Sequence, residues 1–313
     1  MEYHHIPVMR EQVLRVLDPV SGGLYVDCTL GGGGHAEAIL ERSAPDGLLI
    51  ACDQDPDAIA HARSALERFG PRVTFFHANF ADLASILHSA GHARVNGIVA
   101  DLGVSFYQLS QSGRGFSFQT DEPLDMRMNP EASFPTAAQI LNTFSQEALA
   151  DIFFHLGEEV LARRIAARIV REREKEPIET ASRLAGIVSA VYAKAGFGKR
   201  RIHPATKTFM ALRIAVNSEL ENLSRFLADL PDCLVSGGRA CIISFHSLED
   251  RMVKQRFREL EKGCTCPADI PVCVCGKKPM GRVVTRRPLS ADAMELEENP
   301  LSRSARLRVF ERI

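Results

Sequence analysis

The sequence predicts an α/β protein, a parallel doubly wound sheet into which an all-helical segment is inserted. Three observations predict it. From residue 8 to residue 101, apolar runs that read as strands alternate with amphipathic helices. The first of those strands runs straight into four glycines. From residue 111 to residue 200 the alternation stops and only helical periodicity remains.

Val8 to Leu17 reads as a helix, ended by Asp18-Pro19 and Ser21-Gly22-Gly23. Leu24 to Cys28 is a buried strand, β-branched at Val26 and apolar at Leu24, Tyr25 and Cys28. Gly31 to Gly34 allow positive φ and a close approach of backbone to a ligand. The helix former His35 to Arg42 then aims its first N–H groups at the same place. The next apolar run, Gly47 to Cys52, ends in Asp53, about twenty residues beyond the glycines, where a carboxylate can take two ribose hydroxyls. Asp55-Pro56 opens a helix that runs to Phe69, and Gly70-Pro71 stops it. Arg72 to His77 is a third strand, followed by Phe80. Two readings of that ring stand, an adenine platform and a core phenylalanine. Asp82 to Ala90 is a short helix, and Val95 to Ala100 is a fourth strand ending in Asp101, next to the topological switch point.

Residues 108 to 135 are rich in Ser, Gly, Asn, Asp and Pro, a long loop of the functional or connecting kind. Ser145 caps a helix to Leu156, Glu158 to Glu174 is amphipathic with a charged outer face, and Thr180 caps another helix carrying Leu184, Ile187, Val188 and Val191. Residues 1–110 and 201–313 therefore form one discontinuous sheet domain, and 111–200 an inserted helical domain suited to substrate recognition. Pro204 opens a long helix to Asp229, with Lys207, Arg213 and Asn217 off its apolar stripe. Gly237-Gly238 leads into a strand, Arg239 to Ser244. Ser247 caps the helix Leu248 to Lys262, with Asp250 as its capping partner. Val283-Val284 and Ala305 to Phe310 are strand candidates that close the sheet as an antiparallel pair, and Glu295 to Glu298 lies at the surface.

The composition is that of an ordinary globular protein, 45% apolar and 25% charged over 313 residues. A net charge of −1 provides no global basic field, so any nucleic-acid contact must come from local patches. There is neither a signal-peptide h-region nor a run of the roughly 18 apolar residues that a membrane helix needs. Cys28, Cys52, Cys233 and Cys241 sit in apolar runs as reduced core thiols, which fits a cytoplasmic protein.

The fragment Gly31-x-Gly33-x-x-Ala36 fits a loose dinucleotide fingerprint, so a nicotinamide dehydrogenase is one reading. Asp27 opposes it. A carboxylate beside the glycine loop repels a pyrophosphate by several kcal/mol at about 4 Å and an effective dielectric near 20. It suits a ligand with an ammonium and a sulfonium, which is S-adenosylmethionine. A capping role for Asp27 stays open. A third reading is a non-catalytic nucleic-acid-binding module.

Seven motifs carry a resemblance to a known family: His5 to Met9, Asp27 to His35, Asp101-Leu-Gly-Val-Ser105, Gln108 to Phe118, Asp125-Met-Arg-Met128, Arg201 to Lys207, and Ser244 to Asp250. Together they resemble the small-subunit rRNA cytosine-N4-methyltransferase family, the RsmH (MraW) type, over nearly the whole chain. The resemblance implies a Rossmann-like S-adenosylmethionine-dependent methyltransferase sheet with an inserted all-helical domain. It also implies methylation of cytidine 1402 (rRNA numbering) of 16S rRNA at the exocyclic N4, on assembled small ribosomal subunits. Asp27, Gly32, Gly33, Gly34, His35, Asp53, Phe80, Asp101 and Gln108 become the expected cofactor contacts.

A cytosine amine is a weak nucleophile, and an acceptor aimed at its N–H localises the lone pair. Asp101 is a candidate, although Asp101-Leu-Gly-Val-Ser105 departs from the Asp/Asn-Pro-Pro-aromatic sequence common in amino-methyltransferases. His246 is a second catalytic candidate, as a base-orienting or proton-relaying group, beside the competing reading of a structural histidine at a helix cap. Candidate RNA contacts are Arg114, Phe116, Phe118, Arg127, Lys199, Arg200, Arg201, His203 and Lys207. The pairs Cys264-Thr-Cys266 and Cys273-Val-Cys275 offer four thiolates to a zinc ion, or form a reduced thiol loop followed by the basic edge Lys277, Lys278, Arg282, Arg286 and Arg287. Oligomeric state is open, a homodimer included.

Overall fold

The computed structural model describes residues 7–197, 202–264, 266–267, 272 and 274–313. It forms two compact units. The first comprises Met1–Gly103 and Glu221–Ile313, the second Val104–Leu220.

The first unit is built on a seven-stranded sheet: β1 (Leu24–Asp27), β2 (Leu48–Asp53), β3 (Val73–His77), β4 (Val95–Asp101), β5 (Leu234–Ser244), β6 (Gly281–Val283) and β7 (Arg306–Arg312). Their order is β3-β2-β1-β4-β5-β7-β6, parallel except for β7, which pairs antiparallel with β5 and β6. The order reverses between β1 and β4, the switch point of a doubly wound sheet. Helices α1 (Arg10–Leu17), α2 (Gly34–Arg42) and α3 (Pro56–Ala65) cover one face; α4 (Leu83–Ser89), most of α11 (Glu219–Asp229) and α12 (Ser247–Lys262) cover the other. The two-residue period of a strand divides the side chains between them. Tyr25, Leu49, Ala51 and Val99 pack on the first face, and Val26, Ile50, Cys52 and Ile98 on the second.

The second unit has its own core, in which Phe153, Ile165, Leu184 and Leu212 meet. Its helices are α5 (Phe106–Ser110), α6 (Ala137–Thr143), α7 (Gln146–Asp151), α8 (Ala162–Arg173), α9 (Ala181–Lys194) and α10 (Thr206–Asn217). The units divide at 103/104 and 220/221, not at 110/111 and 200/201. The reason is that Val104 and Leu109 at one end, and Phe209, Leu212 and Val216 of α10 at the other, pack in the helical core.

Several boundaries differ from the sequence expectation for local reasons. The helix expected from 204 to 229 breaks at Ser218, where φ is +49°. There the buried Asn217 turns inward: its Oδ1 accepts from Met128 N–H (2.7 Å) and its Nδ2 donates to Met126 O (2.8 Å). Residues 158–161 do not join α8, because Glu159 is buried and its carboxylate accepts from Leu161 N–H (2.9 Å) and the Tyr192 hydroxyl (2.5 Å). Gly237-Gly238 lies inside β5, at the point where the β4–β5 register slips. Glu295, on α13 (Ala293–Glu298), is not a surface carboxylate. It accepts from Met9 N–H (2.6 Å) and so anchors the start of α1.

The cap of α12 is His246, not Ser247. Its Nδ1 accepts from Glu249 N–H, and Glu249 answers by accepting from the backbone of His246. Asp250 is thereby released to a different partner, Arg308 of β7, which donates to it from Nε (2.7 Å) and Nη2 (3.0 Å). Arg308 is buried while Asp250 keeps some solvent. Asp250→Ala should therefore cost about 3 kcal/mol, the lower end of the range for stranding one member of a buried pair. A urea titration checks this; an unchanged midpoint would show the pair to be dispensable.

Candidate functional site

The candidate site lies at the carboxyl edge of β1, β2 and β4. Parallel register puts Asp27 opposite Ala51 and Val99, so Asp53 and Asp101 each stand two residues further along their strands, on either side of it. The chain then turns over this edge. Leu30 N–H donates to Cys52 O, Gly31 N–H to the Asp53 carboxylate (2.9 Å), and Gly33 N–H to Leu30 O. Gly32 lies within this turn. Gly33 has φ +84° as the residue before α2, a conformation that needs glycine. At Gly34 a Cβ would come within 2.8 Å of Pro7, so the loop and the residues before α1 pack without a side chain between them.

Each carboxylate is held differently. Asp27 is fully buried. One oxygen accepts from Thr29 N–H (3.2 Å), and Oδ2 has no hydrogen-bond partner among the described residues. Asp53 uses one oxygen on Gly31 and the other on Asp55 N–H (2.9 Å). Each of those oxygens has a second lone pair. Asp101 retains 18% side-chain exposure; its Oδ1 is buried without a hydrogen-bond partner and its Oδ2 lies 3.8 Å from His35 Nε2. Thr29 links the two strand ends, its hydroxyl accepting from Asp101 N–H (2.6 Å).

Among the described residues no lysine or arginine forms an ion pair with any of the three. Burial pushes Asp27 up to about 7, with the Asp53 charge adding to it against the Thr29 N–H. Burial likewise takes Asp53 to about 6. Asp101 rises well above the carboxylate range through burial, then through the charges of Asp27, Glu249 and Glu295. Buried acids without a counter-cation are the electrostatic complement of a cationic ligand. The two orphaned oxygens and the glycine turn fit S-adenosylmethionine, and they disfavour a pyrophosphate.

Phe80 follows β3 and is half-buried, its ring edge-on to Phe226 (5.3 Å, 88°), so it belongs to the core on one side and keeps an open side on the other. His246 stands past the end of β5 and both its ring nitrogens face Glu249: Nδ1 accepts from the backbone N–H, and Nε2 is 3.1 Å from Oε1. With Nδ1 an acceptor, the ring proton sits on Nε2. The Nδ1 contact is that of a cap, while Nε2 is buried with no hydrogen-bond partner among the described residues.

The remaining candidates lie in the helical unit or the cysteine loop. Gln108 is buried in a capping box with Ser105 at the start of α5. Arg114, Phe116 and Arg127, expected to face RNA, are structural. Arg114 is buried and donates to Arg127 O and Met128 O, and Phe116 is in the core. Arg127 grips Asp125 with two nitrogens (2.7 Å each). A buried guanidinium satisfies carbonyls that the irregular segment cannot pair itself, a demand invisible in composition. His203 is exposed and stacks on Phe118 (4.4 Å, 23°), while Lys207 donates to Glu158 O (2.7 Å). Lys199, Arg200, Arg201 and Cys273 lie outside the described residues. Cys264, Cys266 and Cys275 converge.

Two basic surfaces add to the sequence reading. On the helical unit, Arg163 and Arg164 border a cavity of about 440 Å³ with the exposed Phe154. On the sheet unit, Lys254 and Arg258, one turn apart on α12, face Arg286 across a cavity of about 320 Å³. The arginine-rich sequence of α8 was the available signal for the first; of the second, the basic edge in the sequence included Arg286 but not its neighbours Lys254 and Arg258 on α12.

The chain matches the MraW methylase family over residues 2–313. A protein of Desulfosudis oleivorans named ribosomal RNA small subunit methyltransferase H is 50% identical over 313 residues, covering 100% of both chains. Proteins of the same name from Syntrophus aciditrophicus and Citrifermentans bemidjiense are 52% and 50% identical, covering 99% and 100% of this chain and 98% and 99% of their own.

The raised carboxyls have two pH consequences. Between about pH 4 and pH 7 the folded, ligand-free protein holds protons on Asp27 and Asp53 that the unfolded chain has lost, so stability falls as pH rises through that window. A bound cation favours the ionised forms, so S-adenosylmethionine affinity should rise with pH from about 4 to about 7, with proton release on binding. Calorimetry across that range checks it; a flat profile would sink it. Asp27→Asn should raise the ligand-free melting temperature at pH 8 by a few degrees while weakening S-adenosylmethionine binding.

Proposed function

Because this chain belongs to the MraW methylase family, we propose that it transfers a methyl group from S-adenosylmethionine to the exocyclic N4 of a cytidine in the 16S rRNA of the small ribosomal subunit. The observation that carries this reading is the pair of orphaned carboxylate oxygens, Asp27 Oδ2 and Asp101 Oδ1, at acids that no lysine or arginine pairs with among the described residues. The cofactor, when bound, supplies an electrophilic methyl group.

The chain's own residues do the rest by position. Asp27 and Asp101 hold the cationic part of the ligand between them. Asp53 keeps lone pairs for two ribose hydroxyls while fixing the glycine turn. Phe80 offers its open side to the adenine. The glycine turn excludes side chains from the backbone's approach to the ligand, and its rigidity matters because a methyl transfer gains most of its rate from in-line positioning. Asp101 also serves as acceptor for an amine N–H of the base. That requires its ionised form, which a neighbouring positive charge restores. His246 acts as a positioning residue that holds the turn between β5 and α12. On the helical unit RNA contact falls to His203 on Phe118, to Lys207, and to Arg163 and Arg164 beside Phe154, which offer stacking and charge; on the sheet unit Lys254, Arg258 and Arg286 offer charge to phosphates.

Tritium transfer from labelled cofactor to small-subunit particles lacking the modification, followed by nucleoside analysis, tests the assignment. The expected product is N4-methylcytidine in 16S rRNA; label on another base, or none, overturns it. Asp101→Asn should lower the single-turnover rate at saturating cofactor by about 100-fold or more. For His246 the discriminating pair is Asn and Ala. His246→Asn, which keeps a capping acceptor, should retain the rate within a few-fold, whereas His246→Ala should lose about 1 kcal/mol of stability. A large rate loss in a stably folded Asn variant would return the histidine to the chemistry.

A further inference from the structure

The thiol loop after α12 is used by none of the chemistry above, and its geometry stands independently of the methyl-transfer reading. The sulfurs of Cys264, Cys266 and Cys275 all lie within 4.8 Å of one another, and those of Cys264 and Cys275 are 3.8 Å apart. A disulfide needs about 2.05 Å. Four sulfurs at about 2.3 Å from a tetrahedral zinc are separated by about 3.8 Å.

Two glycines bring these cysteines together. Gly263, immediately before Cys264, has φ +69°, and a Cβ there would lie 2.4 Å from the backbone of Lys278 on the returning chain. Gly276, immediately after Cys275, has φ +63°. The foot of the loop is tied down where Met280 N–H donates to Leu260 O (2.9 Å). Above that foot, Val272 and Val274, the large apolar residues of the loop among the described residues, are 70% and 78% exposed. A metal ion can hold three thiols converged where these residues bury little apolar surface. One sulfur already has an orienting partner, Cys266 accepting from Val274 N–H (3.4 Å), which is how backbone amides support metal-bound thiolates.

We propose that Cys264, Cys266 and Cys275 bind a structural zinc ion, with one further donor completing the tetrahedron. The soft, all-sulfur set selects zinc over magnesium or calcium. The ion deprotonates the thiols, closes the loop and fixes the base from which Lys277 and Lys278 project.

The test is metal analysis of the tag-free, full-length protein purified without chelator, beside Cys264→Ser/Cys275→Ser and a Cys233→Ser control from the buried core. About one zinc per chain is expected in the wild type and the control, and background in the double variant. Cobalt substitution should give sulfur-to-metal charge-transfer bands that the double variant lacks. Zinc at background in the wild type overturns the proposal, whether thiol titration then shows reduced cysteines or a disulfide. So does zinc retained in the double variant.

Discussion

Three carboxylates side by side at one edge of a parallel sheet repel one another, and the register of β1, β2 and β4 makes that proximity unavoidable. None has a lysine or arginine partner among the described residues. The fold tolerates this by proton uptake: burial raises all three acids, so near neutrality the site sheds part of its charge until a cation arrives. Stability and ligand binding therefore draw on the same groups in opposite directions, the usual condition of a preorganised electrostatic site.

The glycine turn is the mechanical counterpart of that charge. Asp53 does not simply wait for a ligand; it accepts from Gly31 N–H and so sets the path of the turn. Thr29 couples the ends of β1 and β4 through Asp27 and Asp101. One short segment thus fixes all three acids relative to the N-terminus of α2, whose dipole is the main positive feature of the loop. His35, in the first turn of that helix, stands beside Asp101.

The helical unit shows a different use of charge. Its irregular segment from Ser112 to Ala132 is rich in polar backbone, and Arg114, Asp125, Arg127 and Asn217 bond to that backbone. Cations that read as RNA contacts in a one-dimensional sequence are consumed by folding. Those that remain exposed, such as Arg163 and Arg164, sit on a regular helix that satisfies its own carbonyls.

The sequence by itself determined the sheet, its strand alternation, the glycine turn over β1, the antiparallel closing pair and the positions of Asp27, Asp53 and Asp101. These depend on periodicity and on backbone rules that act over a few residues. Tertiary structure decided what each polar side chain does. His246 became the cap and Asp250 the partner of Arg308, Glu295 turned inward to anchor α1, and Ser218 broke a helix that periodicity ran through. The physical reason is that a buried polar group must find its partner in space, and that partner stands up to 286 residues away along the chain.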